Sequence, residues 1–359
     1  MRRFVLVVAG PLALAFVLTA LLLYLLGVDP PGYFAQVLRR GLLSPSGLQA
    51  SVTRMAPLLL VAASLIVAFR AGVWNLGGDG QFLLAAVCVA AAAPSLAAAL
   101  PLWLAWLASF LLAAAVGAAW AVLPALLRAF RGVNEIISTL MMSLLGASLV
   151  NLLIKLAFRD PTTTVPQTVT LPVADRLPRL MDTTVSGGVI IGVVAVLAVH
   201  WLMAATAFGL RLRVVGANPR AAAHAGLDVP LLTLAAFGLS AALAGLAGAV
   251  EVLGVAGNVR ADWNPAYGLA VVPLVFLARF NGFATILFVF LFSVLSIGGE
   301  SAARRFGVPN FVTLLIVAIL LVALALGEMV EQRAARHAAA RRAAARRAAA
   351  RRGVGGLAA

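Results

Sequence analysis

Residues 102–127 read LWLAWLASFLLAAAVGAAWAVLPALL, an apolar and alanine-rich run without a charged side chain. About 20 such residues are enough for a helix to cross the hydrocarbon core of a bilayer. Similar runs recur along the chain, which has 359 residues and is 63% hydrophobic but only 11% charged. A soluble protein of this size needs far more polar surface. Because the runs do not alternate at every second residue, a membrane β-barrel is excluded, and we expect an all-α integral membrane protein.

The apolar runs predict about ten transmembrane helices, with one or more broken or re-entrant segments. The eighth run is too short to cross a bilayer alone, so we expect it to be half of a broken helix or to start earlier, near Gly254. Between the runs, Val28–Gln49 is expected to be a first outer loop, and the proline-rich Arg159–Ser186 an extended or turn-rich second one. The ten predicted spans are Phe4–Gly27, Val52–Phe69, Gln81–Ala98, Leu102–Leu127, Glu135–Phe158, Gly187–Ala204, Leu231–Leu253, Leu269–Ala278, Ala284–Gly299 and Val308–Gly327.

The positions of the basic residues predict the orientation, because arginine and lysine are enriched in cytoplasmic loops. An arrangement with both termini in the cytoplasm places more arginines inside than outside, and the difference rests on the arginine-rich tail and on Arg128–Arg131. We therefore divide the chain into a transmembrane domain, residues 1–330 with an inner loop at 205–230, and a cytoplasmic Arg/Ala-rich tail, residues 331–359. The tail is interpreted as a solvated topology signal in preference to a binding site for anionic lipid or a cytoplasmic partner.

Several kinds of chemistry are excluded by what the sequence lacks. A phosphate-binding P-loop ends in Gly-Lys-Ser/Thr, whereas the only lysine, Lys155, lies between Ile154 and Leu156. Three histidines and a single cysteine form no zinc motif, so we expect no metal, no cofactor and no enzymatic activity. The net charge is +15, and the arginines that produce it lie mostly between apolar runs and in the tail. This distribution argues against a nucleic-acid partner. Three classes of membrane protein remain: a channel, a secondary carrier, and the membrane subunit of a transporter powered by another chain.

The first functional candidate is the stretch Phe69–Gln81, which reads FRAGVWNLGGDGQ between two apolar runs. Its glycines and polar residues would interrupt a spanning helix, and interrupted backbone at membrane depth is tolerated where it meets protein or water. Broken helices of this kind build transporter sites. We therefore predict that Trp74, Asn75, Asp79 and Gln81 line the solute path, the alternative being a simple inner loop.

Two further polar groups lie at helix positions. Asn134, Glu135, Ser138 and Thr139 are candidates to line the solute path, where the two hydroxyls could bond a polar solute. The alternative is that Asn134 caps the helix and that Glu135 in its first turn complements the helix dipole. In Ser240–Glu251, small residues four positions apart predict that two membrane helices pack closely. The acidic side chain of Glu251 either lines the path or reaches the outer interface.

The inner loop at 205–230 contains the clearest local signal. Asn218 is placed to cap a helix that begins with Pro219, continues through a run of alanines that includes Ala222, and ends at Gly226 in a left-handed cap. A free helix of about two turns is marginal in water. We therefore expect this helix to dock on another subunit, with packing on its own bundle as the alternative. The set predicted to act in this coupling is Arg211, Arg213, Gly216, Asn218, Pro219, Ala222 and Gly226.

These stretches, in this order, resemble the permease subunits of bacterial ABC importers for nucleosides and simple sugars. The wider group includes ribose-type and branched-chain amino-acid permeases. The resemblance runs from about Arg54 to Gly327, with the loop Gly209–Gly226 matching best and Pro273–Gly282 departing from the family pattern. Trp74-Asn75-Leu76-Gly77 and Gly80-Gln81 are similar to the family element Asn-Ile-Gly-x-Glu-Gly-Gln, with Asp79 in place of glutamate, and Asn134-Glu135 to its Asn-Glu element.

The resemblance implies a mechanism and a set of partners. A periplasmic or lipid-anchored solute-binding protein would deliver the solute to the outer face of a bacterial plasma (inner) membrane. Two permease subunits, the same chain twice or two related chains, would form the path within the membrane lipid. A cytoplasmic ABC ATPase subunit would receive the loop helix near Asn218–Gly226 and drive the alternation between outward and inward openings.

Three alternatives stay open at this stage. A branched-chain amino-acid permease would favour a charged pair in the path, whereas the combination of Trp74, Asn75 and Gln81 favours a nucleoside or sugar. An ion-coupled secondary carrier or a channel would need partnered acids at the midplane, for which Asp79, Glu251 and Glu300 are the candidates. A membrane scaffold without transport activity is disfavoured by the broken segment at Gly72–Gly80.

Overall fold

The computed structural model describes residues 10–181 and 183–309, together with residues 312, 315–316, 318–319 and 322–323. Seven helices within them are long and apolar enough to cross a membrane, and a bent pair at the N-terminus adds at most one span. The all-α membrane class is thus confirmed, and ten is an approximate count. The helices are α1 (Gly10–Leu25), α2 (Pro30–Leu38), α3 (Pro45–Arg70), α4 (Gly78–Ala99), α5 (Leu102–Arg131), α6 (Glu135–Leu156), α7 (Gly188–Ala205), α8 (Ala207–Ala217), α9 (Pro219–His224), α10 (Val229–Glu251), α11 (Tyr267–Leu277) and α12 (Gly282–Phe306).

The predicted spans coincide with helices within the residues that the structure describes. The second to seventh runs match α3 to α7 and α10, the last of which continues as a π-helix to Ala256. The eighth run is α11, a helix of 11 residues, as expected for half of a span. The tenth, Val308–Gly327, lies largely outside the described residues, and so does the tail at 331–359.

The prediction of an outer loop at Val28–Gln49 is wrong. Residues 30–38 form α2, a π-helical turn follows at Arg39–Leu43, and α3 begins at Pro45. The prolines that suggested a loop occupy the first positions of helices, where the missing N–H has no helical partner to lose. Ser44 caps α3 by accepting a hydrogen bond from the N–H of Gly47 at 3.2 Å.

The described residues fall into two units, one within 37–299 and a smaller one made of 10–36 and the described residues from 300 onward. Within the smaller unit, Gln36 accepts a hydrogen bond from Arg305 at 2.7 Å and donates one to Ser301 at 3.4 Å. The rings of Tyr33 and Phe306 lie 5.9 Å apart. Polar contacts thus join the N-terminal helices to the end of α12 inside that unit.

The core of the larger unit is built around α3 and α10. Nearly four fifths of the most apolar stretch of α3 is buried. Helix α10 packs on α3, α4 and α5. The close packing predicted for Ser240–Glu251 is confirmed, because a Cβ on Gly117 of α5 would lie 3.0 Å from the Cα of Gly245, and Gly248 packs on the backbone of α4 at Phe82. Small residues therefore let three membrane helices approach closely.

The loop Arg159–Ser186 is turn-rich, as predicted. It contains a short 3-10 turn at Val173–Asp175 and pairs with the chain that follows α10. The N–H of Thr168 donates to the carbonyl of Val259 at 3.0 Å. The loop therefore covers one end of the bundle.

Candidate functional site

The predicted interruption between two apolar runs is present as a non-helical segment, residues 71–77, which joins α3 to α4. We call it the break. Several of its backbone polar groups bond to side chains of α6, as buried groups require a partner. The hydroxyl of Thr139 accepts a hydrogen bond from the N–H of Leu76 at 3.2 Å. Ser143 accepts from the N–H of Gly80 at 3.3 Å and donates to the carbonyl of Leu76 at 3.4 Å. Two hydroxyls of α6 thus hold the break in place.

A network of buried side chains ties the break to α3 and α10. The amides of Asn75 and Gln81 exchange two hydrogen bonds of 3.1 Å. Asn75 also donates to Ser240 of α10 at 2.9 Å, and the hydroxyls of Ser240 and Ser64 of α3 lie 2.9 Å apart. All four side chains are at most 2% exposed. In this conformation the amides of Asn75 and Gln81 bond to the protein itself.

Asp79 is buried at the start of α4 and explains how a half-length helix begins inside the bundle. Its carboxylate accepts hydrogen bonds from the N–H groups of Gly268, at 2.6 Å, and Leu269, in the first turn of α11. The first N–H groups of a helix have no internal partner, and the positive end of the helix dipole attracts an anion. A Cβ on Gly268 would lie 2.8 Å from the carboxylate oxygen, so only glycine fits there. Asp79 therefore caps α11.

Trp74 presents the aromatic surface of the break. Its ring lies 5.7 Å from that of Phe276 at an interplanar angle of 30°, and 5.1 Å from that of Phe69. Phe280 completes the group at 5.3 Å from Phe276. We call Phe69, Trp74, Phe276 and Phe280 the aromatic cluster. Trp74 is 40% exposed, in contrast to the buried Asn75, Asp79 and Gln81.

The other predicted polar residues of α6 are engaged within the protein. Asn134 caps α6, as predicted, by accepting from the N–H of Ile136 at 2.9 Å. Glu135 forms an ion pair of 3.2 Å with Arg128 at the end of α5. Ser138 donates to the carbonyl of Glu135 at 3.3 Å. Among the four residues predicted in α6, namely these three and Thr139, Thr139 is the one that bonds to the break.

Glu251 lies apart from the break, at the last position of α10. The residue is 6% exposed. Among the residues that the structure describes, its Oε2 has no hydrogen-bond partner, and the charge of Arg54 of α3 acts on it. The structure therefore does not bring Glu251 together with Trp74, Asn75, Asp79 and Gln81.

The inner loop contains two consecutive helices. α9 has the predicted design, since Asn218 accepts from the N–H of Ala221 at 3.1 Å and Gly226 adopts a φ of +79°. The sequence analysis missed α8, which is capped by Thr206 and ends at Asn218. Ala222 is fully buried and faces the bundle, whereas Arg211 and Arg220 are exposed.

Comparison with known proteins decides the family. The family model described as "Branched-chain amino acid transport system / permease component" matches residues 47–324. The chain belongs to this permease family. It is 33% identical to the glucose ABC transporter permease protein TsgB13 of Haloferax volcanii, over 82% of this chain and 80% of the relative. A comparison with solved structures gives no significant match.

Two other relatives carry nucleoside names. The permease is 28% identical to the guanosine ABC transporter permease protein NupP of Bacillus subtilis, over 75% of this chain and 78% of the relative. It is 27% identical to the nucleoside ABC transporter permease protein NupB of Lactococcus lactis, over 88% and 89% respectively. The resemblance stated from the sequence motifs is thereby confirmed, and the protein is a multi-pass membrane permease.

The contacts around the break include residues that the sequence analysis did not select as site candidates. Ser64 and Ser240 sit in apolar helices where a serine is usually a small packing residue, and no local pattern links them to Asn75. Phe276 belongs to the segment that departs from the family pattern. Ser143 carried a signal, because it follows the Asn-Glu element by two turns of helix, on the face that contains Thr139.

Proposed function

We propose that this permease lines the route of a nucleoside or simple sugar across the membrane and is driven by an ABC ATPase subunit docked on α8 and α9. One observation carries the proposal: the break has the exposed aromatic ring of Trp74 on one side and the inner-loop helices on the other. A solute surface and a docking element thus meet at one interrupted segment, as in transporters built from discontinuous helices.

The nature of the exposed surface supports this class of solute. Aromatic rings stack on the flat face of a base and pack on the apolar face of a sugar ring. Trp74 would make this contact, while Asn75, Asp79, Gln81 and Thr139 hold the break and become available only if it moves. The relatives named for glucose, guanosine and nucleosides agree with this class.

A branched-chain amino acid is the second candidate, favoured by the description of the family model. Its charged ammonium and carboxylate groups would need charged partners in the path. The acid that follows the break, Asp79 at the start of α4, is already bonded to α11. The aromatic surface therefore favours the nucleoside or sugar.

Charge and burial support docking on α8 and α9. The inner loop at 205–230 contains three arginines, a histidine and one acidic residue, Asp228, which caps α10. Arg211, Arg220 and His224 are exposed, while Ala222 fixes α9 to the bundle. The docking surface is thus basic and rigid, and it fits an acidic groove on the ATPase subunit.

The ends of the helices support the predicted orientation. The inside residues Arg70, Arg128 and Arg213 lie at the end of the bundle where α3 and α5 finish and α8 packs. We propose that this end faces the cytoplasm of a bacterial plasma membrane, with both termini on the same side. A second permease subunit would complete the path.

A cavity at the opposite end offers an entry position for the solute. It has a volume of about 390 Å³ and lies between the loop Arg159–Ser186 and the start of α5. Its lining includes Trp106, Arg176 and the hydroxyls of Thr53 and Ser186. A periplasmic or lipid-anchored solute-binding protein would release its cargo here.

Co-purification tests the docking proposal. A tagged permease is isolated from detergent-solubilised membranes as the native protein and as Arg220→Glu, which reverses an exposed charge without disturbing the core. Arg131→Glu at the exposed end of α5 is the matched control. We expect an ATPase subunit to co-purify with the native protein and Arg131→Glu, and to be lost from Arg220→Glu. Equal recovery in all three would refute docking through the basic face.

A further inference from the structure

The break and the inner-loop helix α8 are in direct backbone contact. A Cβ on Gly72 would lie 2.7 Å from the Cα of Gly216, and a Cβ on Gly216 would lie 2.6 Å from the carbonyl oxygen of Arg70. Real Cβ atoms do not approach other atoms so closely, so the contact exists because both residues are glycine. Gly72 also has a φ of +70°, which a side chain would strain.

Helix α8 is built as a stiff element between the docking surface and this contact. Leu212 is fully buried and Val215 is 4% exposed, so one face of α8 is fixed to the bundle. Its first turn is capped by Thr206, which accepts from the N–H of Gly209 at 3.0 Å. At its other end, Asn218 both terminates α8 and caps α9. Asn218 thus joins α9 directly to the helix that contains Gly216.

Beyond the contact, the break leads directly to the aromatic cluster. Arg70, which precedes the break, donates a hydrogen bond to the carbonyl of Phe280 at 3.1 Å. Trp74 follows Gly72 by two residues and stacks on Phe276. Movement at Gly72 would thus shift both the ring of Trp74 and the turn that follows α11.

We propose that the Gly72–Gly216 contact is the point at which movement of the ATPase enters the solute path, so that both glycines are positioning residues for transport. The inference rests on the proposed docking of an ATPase on α8 and α9. It goes further by assigning the transmission step to one backbone contact. Packed elements with two discrete arrangements transmit such shifts, whereas a contact held apart by a methyl group would not.

The test follows the exposure of position 74 through the ATP cycle and needs no knowledge of the solute. Cys88, the only native cysteine, is replaced by alanine, and Trp74→Cys is introduced. The complex with the ATPase subunit is labelled with a water-soluble maleimide, first without nucleotide and then trapped with ATP and vanadate. The labelling is repeated in Gly216→Ala and in Gly238→Ala, a control on α10 where a Cβ meets nothing within 4 Å.

We expect the labelling rate to differ between the two states in the parent and in Gly238→Ala. In Gly216→Ala the ratio of the two rates should fall to about one while the ATPase still binds and hydrolyses ATP. A parental ratio in Gly216→Ala with normal hydrolysis would refute the role of the contact and leave the docking proposal intact. If no ATPase binds the parent protein, the docking proposal fails and the inference falls with it.

A second measurement keeps both glycines and covers the case in which Gly216→Ala does not fold. Spin labels at Leu210→Cys, an exposed position on α8, and at Trp74→Cys report the distance across the contact. If the contact transmits movement, α8 and the break move together, and the distance is the same in both states. A change in that distance between the nucleotide-free and trapped states would overturn the inference.

Discussion

The buried amide network predicts a large cost for a small change, Asn75→Ala. The side chain makes four hydrogen bonds, two with Gln81 and one each with Ser240 and the N–H of Gly77. Side-chain hydrogen bonds within membrane proteins contribute about 0.6 kcal/mol each on average, so the set is worth about 2.4 kcal/mol. A buried amide left without partners adds to this, and we expect a total loss of about 2–4 kcal/mol.

The assay is equilibrium unfolding in mixed micelles of mild detergent and SDS, followed for Asn75→Ala, Gln81→Ala and the double variant. Gln81→Ala loses only the two bonds of the amide pair, so its cost should be about 1 kcal/mol for those bonds. Because the two residues share those bonds, the double variant should cost about 1 kcal/mol less than the sum. Asn258→Ala is the control, since the side chain of that half-buried residue donates a single hydrogen bond, to Thr170, among the residues the structure describes.

The reasoning would be refuted if Asn75→Ala unfolded within about 0.5 kcal/mol of the native protein, the range of ordinary surface substitutions. Strict additivity in the double variant would also contradict the structure, because it would mean that the two amides do not interact. The cycle also separates two roles. A loss of uptake at unchanged stability would assign Asn75 to the solute instead of to the break.

Three further predictions use the same unfolding assay and co-purification. Gly80→Ala should destabilise the protein, because its Cβ would lie 2.8 Å from the backbone of α6, whereas Gly238→Ala should be neutral or stabilise by up to about 1 kcal/mol; equal effects would argue against close packing at Gly80. Asn218→Ala should cost about 1 kcal/mol through its lost cap and weaken ATPase recovery, while Asn218→Asp should retain both; full recovery with alanine would contradict the need for a capped α9. Asp79→Leu should destabilise by about 2 kcal/mol or more, since it orphans the N–H of Gly268, and Asp79→Asn should be milder; the reverse order would rule out the capping role.

The sequence was sufficient for features that depend on neighbouring residues. The spans from α3 to α7 follow from hydrophobic runs, and the start and end of α9 follow from Asn218, Pro219 and Gly226, because apolarity and capping are local properties. The prediction of a loop at Val28–Gln49 was wrong because the effect of a proline is not a local property. A proline interrupts a helix in its interior but starts one at its first position, and only the three-dimensional fold decides between the two.

The candidate site needed the structure because its partners are distant in the chain. Asn75 and Ser240 are 165 positions apart, and Asp79 meets Gly268 after 189. No periodicity connects such residues, and a serine in an apolar helix gives no sign of its partner. The sequence therefore located the break correctly but did not identify the side chains that bond to it. It assigned Asn75 and Gln81 to a path, a prediction that the uptake assays must still test.

The central claim is that this permease moves a nucleoside or sugar only when an ATPase subunit drives it. The direct measurement is uptake into liposomes that contain the purified complex, with labelled guanosine, glucose and leucine compared in the presence and absence of ATP. We expect ATP-dependent uptake of guanosine or glucose, lost in Trp74→Ala, kept in Trp74→Phe and unaffected by Trp103→Ala, a more exposed tryptophan on α5. Uptake by the permease alone, driven by an ion gradient without the ATPase, would contradict the claim and establish an ion-coupled carrier.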